Sequence, residues 1–309
     1  MVNTRTYLPR KSIFHKIFRQ KNLIALTIPG LLVVFLFNYL PMYGIIIAFK
    51  KYSPKAGIWG SPWVGMANFN MFFGNPLAFQ LLRNTFLMGI FNLFWSFPAP
   101  ILLALLFNEL NGRVFKKLSQ TVSYFPHFIS TVIVCGMIKT FASREGLFNQ
   151  IFTTFGGTAT SFLLDPRYFR TIIIASGIWQ SIGFGSIIYL AALSGVQQEL
   201  LDAAAIDGAN RMQRIRYINW PTIAPTTTIL LIFAISGIMG NDFTKILLLY
   251  SPPTYSVADV IGTYTFREGI QNQKFEYTTA IGFFMSIMGF VLVLLANWFS
   301  KKVSETSLW

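Results

Sequence analysis

An all-α membrane protein with six transmembrane helices and both termini inside is the fold class this sequence predicts, and three observations predict it. Of 309 residues, 53% are hydrophobic and only 12% charged, against about 25% charged in a soluble domain. The charges are segregated, leaving windows free of Asp, Glu, Lys and Arg over residues 22–49, 84–108, 118–138, 171–198, 217–241 and 277–300. Each window has the roughly 20 residues a helix needs to cross the hydrocarbon core. The basic residues that make the net charge +14 crowd the window ends, where they meet anionic headgroups and set orientation.

The first window, Asn22–Phe49, follows Arg5, Arg10, Lys11, Lys16, Arg19 and Lys21. That arrangement superficially resembles a signal peptide. The run is longer than the ~7–15 residues of an h-region and lacks a small-residue cleavage site, so it reads as an uncleaved first span. Within the basic N-terminus, residues 1–21, the segment SIFHKIFRQK places Ile13 and Ile17, and Phe14 and Phe18, four apart. It suits a short amphipathic helix in the inner headgroup layer, or a frayed basic tail.

Residues 22–79 hold the first helix and an external loop, KYSPKAGIWGSPWVGMANF, with Pro, Gly and Trp at turn-like spacing. The second to sixth windows supply the other five spans. With the N-terminus inside, the inner segments carry the six basic residues above, then Arg113, Lys116 and Lys117, Arg211, Arg214 and Arg216, and Lys301 and Lys302. The outer loops carry eleven basic residues spread over a longer stretch of chain. The balance supports an N-in, C-in topology with residues 298–309 as an inner tail. The aromatic outer loops suit either a soluble partner or an interfacial belt.

Other classes find little support. No basic surface exists apart from membrane flanks, so nucleic acid is not a partner. Cys135 is the lone cysteine and lies in an apolar window, which excludes an internal disulfide and a Cys-based metal site. His15 and His127 have no carboxylate or thiol at ligand spacing. No cofactor is expected, and G-x-x-x-x-G-K-[ST] is absent, so the chain does not hold ATP in a P-loop.

One polar segment interrupts the apolar pattern: ELLDAAAIDGANRMQRIRYINWP, residues 199–221. Glu199 to Ile206 is built of good helix formers, with Glu199 in the first turn. Asp207-Gly208 reads as a helix stop, because glycine tolerates the left-handed conformation. Ala209 to Tyr217 predicts a second short helix, and Pro221 suits the first turn of the following span. Ala203, Ala204 and Ala205 leave little bulk, so another protein's groove can come close to the backbone. A solvated loop without a partner is the plainer alternative.

This segment resembles the EAA loop of ABC importer permeases. Asp202-Ala203-Ala204 takes the E-A-A place, Gly208 the glycine, and Ile218-Asn219-Trp220-Pro221 the I-x-L-P end. Asp202 departs from glutamate and Trp220 from leucine. YLPMYGIIIAFKKYSPKAGIWGSPWVGMANF, FTKILLLYSPPTYSVADVIGTYTFREG, FEYTTAIGFFMSIMGFVLVLLANWFSKK and SLW resemble the carbohydrate-uptake permeases of the polysaccharide and complex-oligosaccharide subgroup. The resemblance implies a type I importer fold with a core domain over residues 80–297. It implies a plasma-membrane permease subunit paired with a second homologous permease, two ATPase subunits and an extracellular substrate-binding protein, moving an oligosaccharide. It assigns ATPase coupling to Glu199, Asp202, Ala203, Ala204, Asp207, Gly208 and Ala209, with ATP used by the partners.

Polar residues in mid-span face a bundle interior or cavity. Asn92 and Trp95 in the second span, Trp179 and Gln180 in the fourth, and Ser236, Asn241 and Asp242 in the fifth are the path candidates. Rings beside amides and a carboxylate suit a sugar; interhelical hydrogen bonding is the structural alternative. An ion-coupled carrier would favour inverted repeats and buried mid-membrane charge, but no repeat is visible and Asp242 is the one candidate. A membrane enzyme would need a constellation of acids or an acid with histidine at one face, and none is present.

Overall fold

The computed structural model describes residues 21–240 and 243–304. The amphipathic segment proposed within residues 12–21 lies almost wholly outside them, as do Asn241, Asp242 and the terminal SLW. Among the described residues the chain is helical, apart from loops and one isolated backbone pairing of Lys50 with Trp63.

Helix α1 spans Lys21–Phe49. It passes from α-helical into a π turn over Phe35–Tyr39 and a 3-10 stretch over Leu40–Phe49. A short α2, Ala67–Phe73, leads into α3, Ala78–Glu109. α3 breaks for one residue at Phe97, just before Pro98, because proline lacks the donor and its ring crowds the preceding turn. Next come α4, Arg113–Phe128, and α5, Thr131–Phe141, then α6, Leu147–Thr154, and the 28-residue α7, Pro166–Leu193. α8, Gln198–Ile206, and α9, Arg211–Ser236, carry the polar segment. A short α10, Thr244–Leu249, and α11, Ile261–Thr265 continuing as a π turn to Gln271, precede the final α12, Phe275–Ser304.

Five of these helices are long and apolar enough to cross a membrane: α1, α3, α7, α9 and α12. The third charge-free window is a broken span. α4 and α5 meet at 96°, and the local sequence explains the corner. Pro126 starts a 3-10 turn, Ile129 is extended, and the Ser130 hydroxyl caps α5 by accepting from the Val132 N–H at 3.3 Å. With this pair counted as one span, the helices number six.

The core lies where α3, α5, α7 and the short α10 meet, around Met88, Val134, Phe169, Ile173 and Ile246. A second cluster joins α2, α3, α11 and α12 through Phe72, Leu81, Tyr264, Tyr277 and Ile281. A third joins the far end of α3 to α7 and α9 through Ala104, Tyr189, Leu193 and Ile223. Small residues let backbones touch. A Cβ on Gly183 of α7 would collide with the Ser123 carbonyl of α4, and one on Gly89 of α3 with the Ile238 carbonyl after α9. Outside these contacts the long helices present Leu26, Leu106, Phe233 and Phe299 to their surroundings. A protein in water does not display apolar surface on that scale.

Candidate coupling loop and substrate path

The polar segment folds into a helix, a tight reversal and a second helix, each with its own capping. Gln197 sits extended before α8, and Glu199 occupies the first turn, where its charge complements the helix dipole. One turn on, the Gln198 amide donates to Asp202 Oδ1 at 3.0 Å. The end of α8 is a Schellman motif. The Gly208 N–H bonds the Ala205 carbonyl at 3.1 Å, and the Ala209 N–H bonds that of Ala204 at 2.8 Å. The motif needs a left-handed residue, and Gly208 provides it with φ of 75°. A Cβ there would meet nothing within 4 Å, so backbone conformation, not crowding, asks for glycine.

Asn210 then opens the next helix with a capping box. Its side chain accepts from the Gln213 N–H at 2.9 Å while the Gln213 side chain accepts from the Asn210 N–H at 2.7 Å. Here the structure corrects the sequence reading. The second short helix starts at Arg211, and Pro221 does lie in the first turn of the α-helical span from Trp220, but the two are not separate: a π turn joins them. α9 runs unbroken from Arg211 to Ser236. It absorbs Pro221 by widening into a π turn over Ile215–Asn219, since proline cannot donate and its ring clashes with the carbonyl one turn back.

α9 is fastened to the end of α3 by Glu109. Its carboxylate lies 3.6 Å from the Arg214 guanidinium and accepts from the Asn219 amide at 3.4 Å. The sequence reading passed over Glu109. The signal was its place, one residue beyond a charge-free window at an end otherwise crowded with arginine and lysine.

α8 itself buries none of its residues. Leu200, Ala203 and Ile206, spaced three apart on one flank, all face outward, with Ile206 87% exposed. Asp202 and Asp207 are exposed beside them. The arrangement is a rigid, self-capped helix offering an apolar strip with acidic neighbours, which can insert into a groove of another protein without reorganising.

The path candidates do not converge. Asn92 borders a cavity of about 280 Å³ between α3 and the end of α9. Trp95 borders a larger one, about 730 Å³, between α3 and α7. Trp179 borders a third, about 430 Å³, between α5, α6 and α7. Gln180 instead holds the chain together: it donates to the Ile129 carbonyl at 2.9 Å, at the α4–α5 corner, and accepts from Lys245 Nζ at 3.2 Å. Ser236 turns its hydroxyl back to the Phe233 carbonyl at 2.6 Å. Asn241 and Asp242 lie outside the described residues.

A polar network unforeseen in the sequence sits at the end of the molecule away from α8. Asp259, 4% exposed, receives two bonds from Arg267, at 2.7 and 3.4 Å, and one from Thr263 at 2.7 Å. Asn84 of α3 donates to the Asp259 carbonyl and accepts from Arg170 of α7. Arg267 also lies over the rings of Tyr255 and Tyr264. Burial works against the Arg267 charge, but the hydrogen bond and charge of Asp259 outweigh it and hold the guanidinium pKa above its ordinary value.

Comparison with known proteins bears on this architecture. Residues 70–305 match the family described as "Binding-protein-dependent transport system inner membrane component". The chain is 42% identical over 291 residues to Protein LplB of Bacillus subtilis (strain 168), covering 94% of this chain and 92% of that one. It is 40% identical over 301 residues to the polygalacturonan/rhamnogalacturonan transport system permease protein YteP of the same organism, covering 97% and 94%. Among solved structures it superposes with a TM-score of 0.87 and 37% identity on a chain of a bacterial alginate ABC transporter. That transporter was solved in complex with a periplasmic protein carrying an alginate pentasaccharide, and the match covers 96% of this chain and 99% of that chain.

Proposed function

The chain belongs to the family of inner-membrane components of binding-protein-dependent transport systems, and on that premise we propose that it forms half of the import path for an oligosaccharide or polysaccharide fragment, driven by separate ATPases that dock on α8. Membership in this family sets aside the ion-coupled carrier. The chain is a multi-pass membrane permease subunit, and its sequence carries no G-x-x-x-x-G-K-[ST] motif.

The observation that carries the coupling role is α8. A helix capped at its end by a Schellman motif, joined to a span that Glu109 anchors, and exposing Leu200, Ala203 and Ile206 is a prepared docking element. Glu199, Asp202, Ala204, Asp207, Gly208 and Ala209 complete it. By this reading α8 faces the cytoplasm, both termini lie on that side, and residues 80–297 form the core that pairs with a homologous permease. A substrate-binding protein delivers the sugar from the opposite face. One relative is described as a polygalacturonan/rhamnogalacturonan transport permease, and the superposed structures as a transporter of the acidic polysaccharide alginate; for this chain we propose a glycan of that broad kind, entering beside Trp179 and Asn92.

Reconstitution tests this directly. The chain alone in liposomes is expected neither to hydrolyse ATP nor to move tri-galacturonate. Purification through a tag on this chain is expected to recover a second permease and an ATPase pair, whose ATPase activity rises when the loaded binding protein is added. ATP-independent uptake by the single chain contradicts the reading.

A further inference from the structure

The cavity between α3 and α7 has two unlike ends. It holds about 730 Å³, and the end lined by Pro166, Arg167 and Arg170, its mouth, lies at the start of α7, remote from α8. At the mouth, Arg170 donates from Nε to the Val257 carbonyl at 3.3 Å and from its amino group to Asn84 Oδ1 at 2.9 Å. Arg83 donates to the adjacent Ser256 carbonyl at 3.3 Å. Consecutive carbonyls thus hold two guanidiniums side by side. Among the described residues no carboxylate lies within ion-pair distance of either. Arg167, also at the mouth, is paired with Asp165 at 2.6 Å. Arg167 and Arg170 line the mouth and Arg83 lies beside it, so three arginines against one aspartate leave this end positive.

Inward the chemistry changes. Beyond Thr171 the wall is Ile174, Ala175 and Ile178 on α7, with Phe91 and Trp95 opposite on α3. From Arg170 to Ile178 the α7 axis advances roughly 12 Å at about 1.5 Å per residue, comparable to the ~15 Å of one leaflet's hydrocarbon. Apart from the Trp95 indole this trough offers nothing to a sugar hydroxyl, and a buried hydroxyl without a partner is costly. An anion with a long apolar tail matches both ends at once.

We propose that this cavity binds one anionic phospholipid of the leaflet opposite α8, its phosphate on Arg83 and Arg170 and one acyl chain along Ile174, Ala175 and Ile178. The lipid joins α3 to α7 where their direct contact opens. The inference stands apart from the sugar reading, because it uses the charge and shape of the groove and the membrane position of the helices.

Native mass spectrometry of the transporter complex, purified through this chain from nanodiscs of equal phosphatidylglycerol and phosphatidylcholine, tests it. Phosphatidylglycerol is expected to remain bound in preference to phosphatidylcholine. The double variant Arg83→Gln/Arg170→Gln is expected to lower that preference roughly tenfold. Ala175→Trp, which fills the trough without changing charge, is expected to remove the bound lipid. Arg113→Gln/Lys116→Gln, at the other end of the molecule, is expected to leave it. A photoreactive acyl chain on phosphatidylglycerol is expected to label α7 between Thr171 and Ile178. Equal retention of the two lipids, or an unchanged preference in the arginine double variant, overturns the proposal. So does saturable tri-galacturonate binding that is lost in that variant while lipid binding persists. Where the arginine variant fails to assemble, Ala175→Trp decides: lipid retained there overturns the site.

Discussion

The two ends of this molecule use their polar residues in opposite ways. Around Asp259 the chain turns its charge inward: Arg267, Thr263, Asn84 and Arg170 bond one another and the backbone across α3, α7 and α11. At α8 the caps satisfy the backbone, and everything else, apolar strip included, is left facing out. Both regions are ordered by local hydrogen bonds, yet the Asp259–Arg267 pair is completed within the chain and the surface of α8 is not. On the proposed reading, an ordered apolar strip that packs on nothing among the described residues is a surface for another protein. A buried and fully bonded ion pair is a clamp.

The difference predicts that damage to the clamp reads out as stability and damage to α8 as transport. The largest expected effect is at Asp259. Asp259→Ala strands Arg267 in a largely buried site, and breaking such a pair costs about 3–5 kcal/mol. Thermal unfolding in nanodiscs is expected to show a large drop and poor recovery of the complex. Asp259→Ala/Arg267→Met, which removes both charges, is expected to regain part of it; no regain means that the pair does not act as a unit. Gly183→Val comes next. Its side chain would enter the Ser123 backbone and force α4 from α7, an overpacking cost of about 1–3 kcal/mol or more, read as lowered thermal stability with α8 unaltered.

At the other end the stability effects shrink while the transport effects persist. Gly208→Val places a branched residue at φ of 75°, which costs about 1–2 kcal/mol locally. The chain is expected to remain in the membrane with uptake lost. Glu109→Gln weakens the bond from α9 to α3, an exchange of about 1 kcal/mol. Coupled uptake is expected to fall partway, measured as sugar moved per ATP hydrolysed. A Gly208→Val chain that is stable and transports normally would erase the contrast between the two ends.

Much of this was legible in the sequence because bilayers impose long, uniform rules. Charge-free windows of some 20 residues marked every span, and Asp207-Gly208 marked the end of α8, since only glycine makes that turn cheaply. The 96° corner between α4 and α5 was not legible: Pro126 and Ser130 stand inside an unbroken apolar window, and hydropathy does not record direction. The continuity of α9 was not legible either: Pro221 does sit in the first turn of the α-helical span, but a π turn over Ile215–Asn219 joins that span to the short helix before it. The Asp259 network joins residues more than 170 positions apart, which no local pattern encodes. For the same reason the mid-span polar residues did not sort themselves. Gln180 and Trp179 are neighbours in sequence, yet one bonds Lys245 and the other faces a cavity.

The most direct test of the central claim is Ala203→Arg, at an exposed position where a long charged side chain disturbs nothing within the chain. Uptake of the transported sugar is measured beside thermal stability and co-purification of the ATPases. Unchanged stability with the ATPases and uptake both lost is the predicted result, because the strip formed by Leu200, Ala203 and Ile206 would no longer seat in its groove. Normal uptake with the ATPases still bound would contradict the assignment of α8 as the docking element.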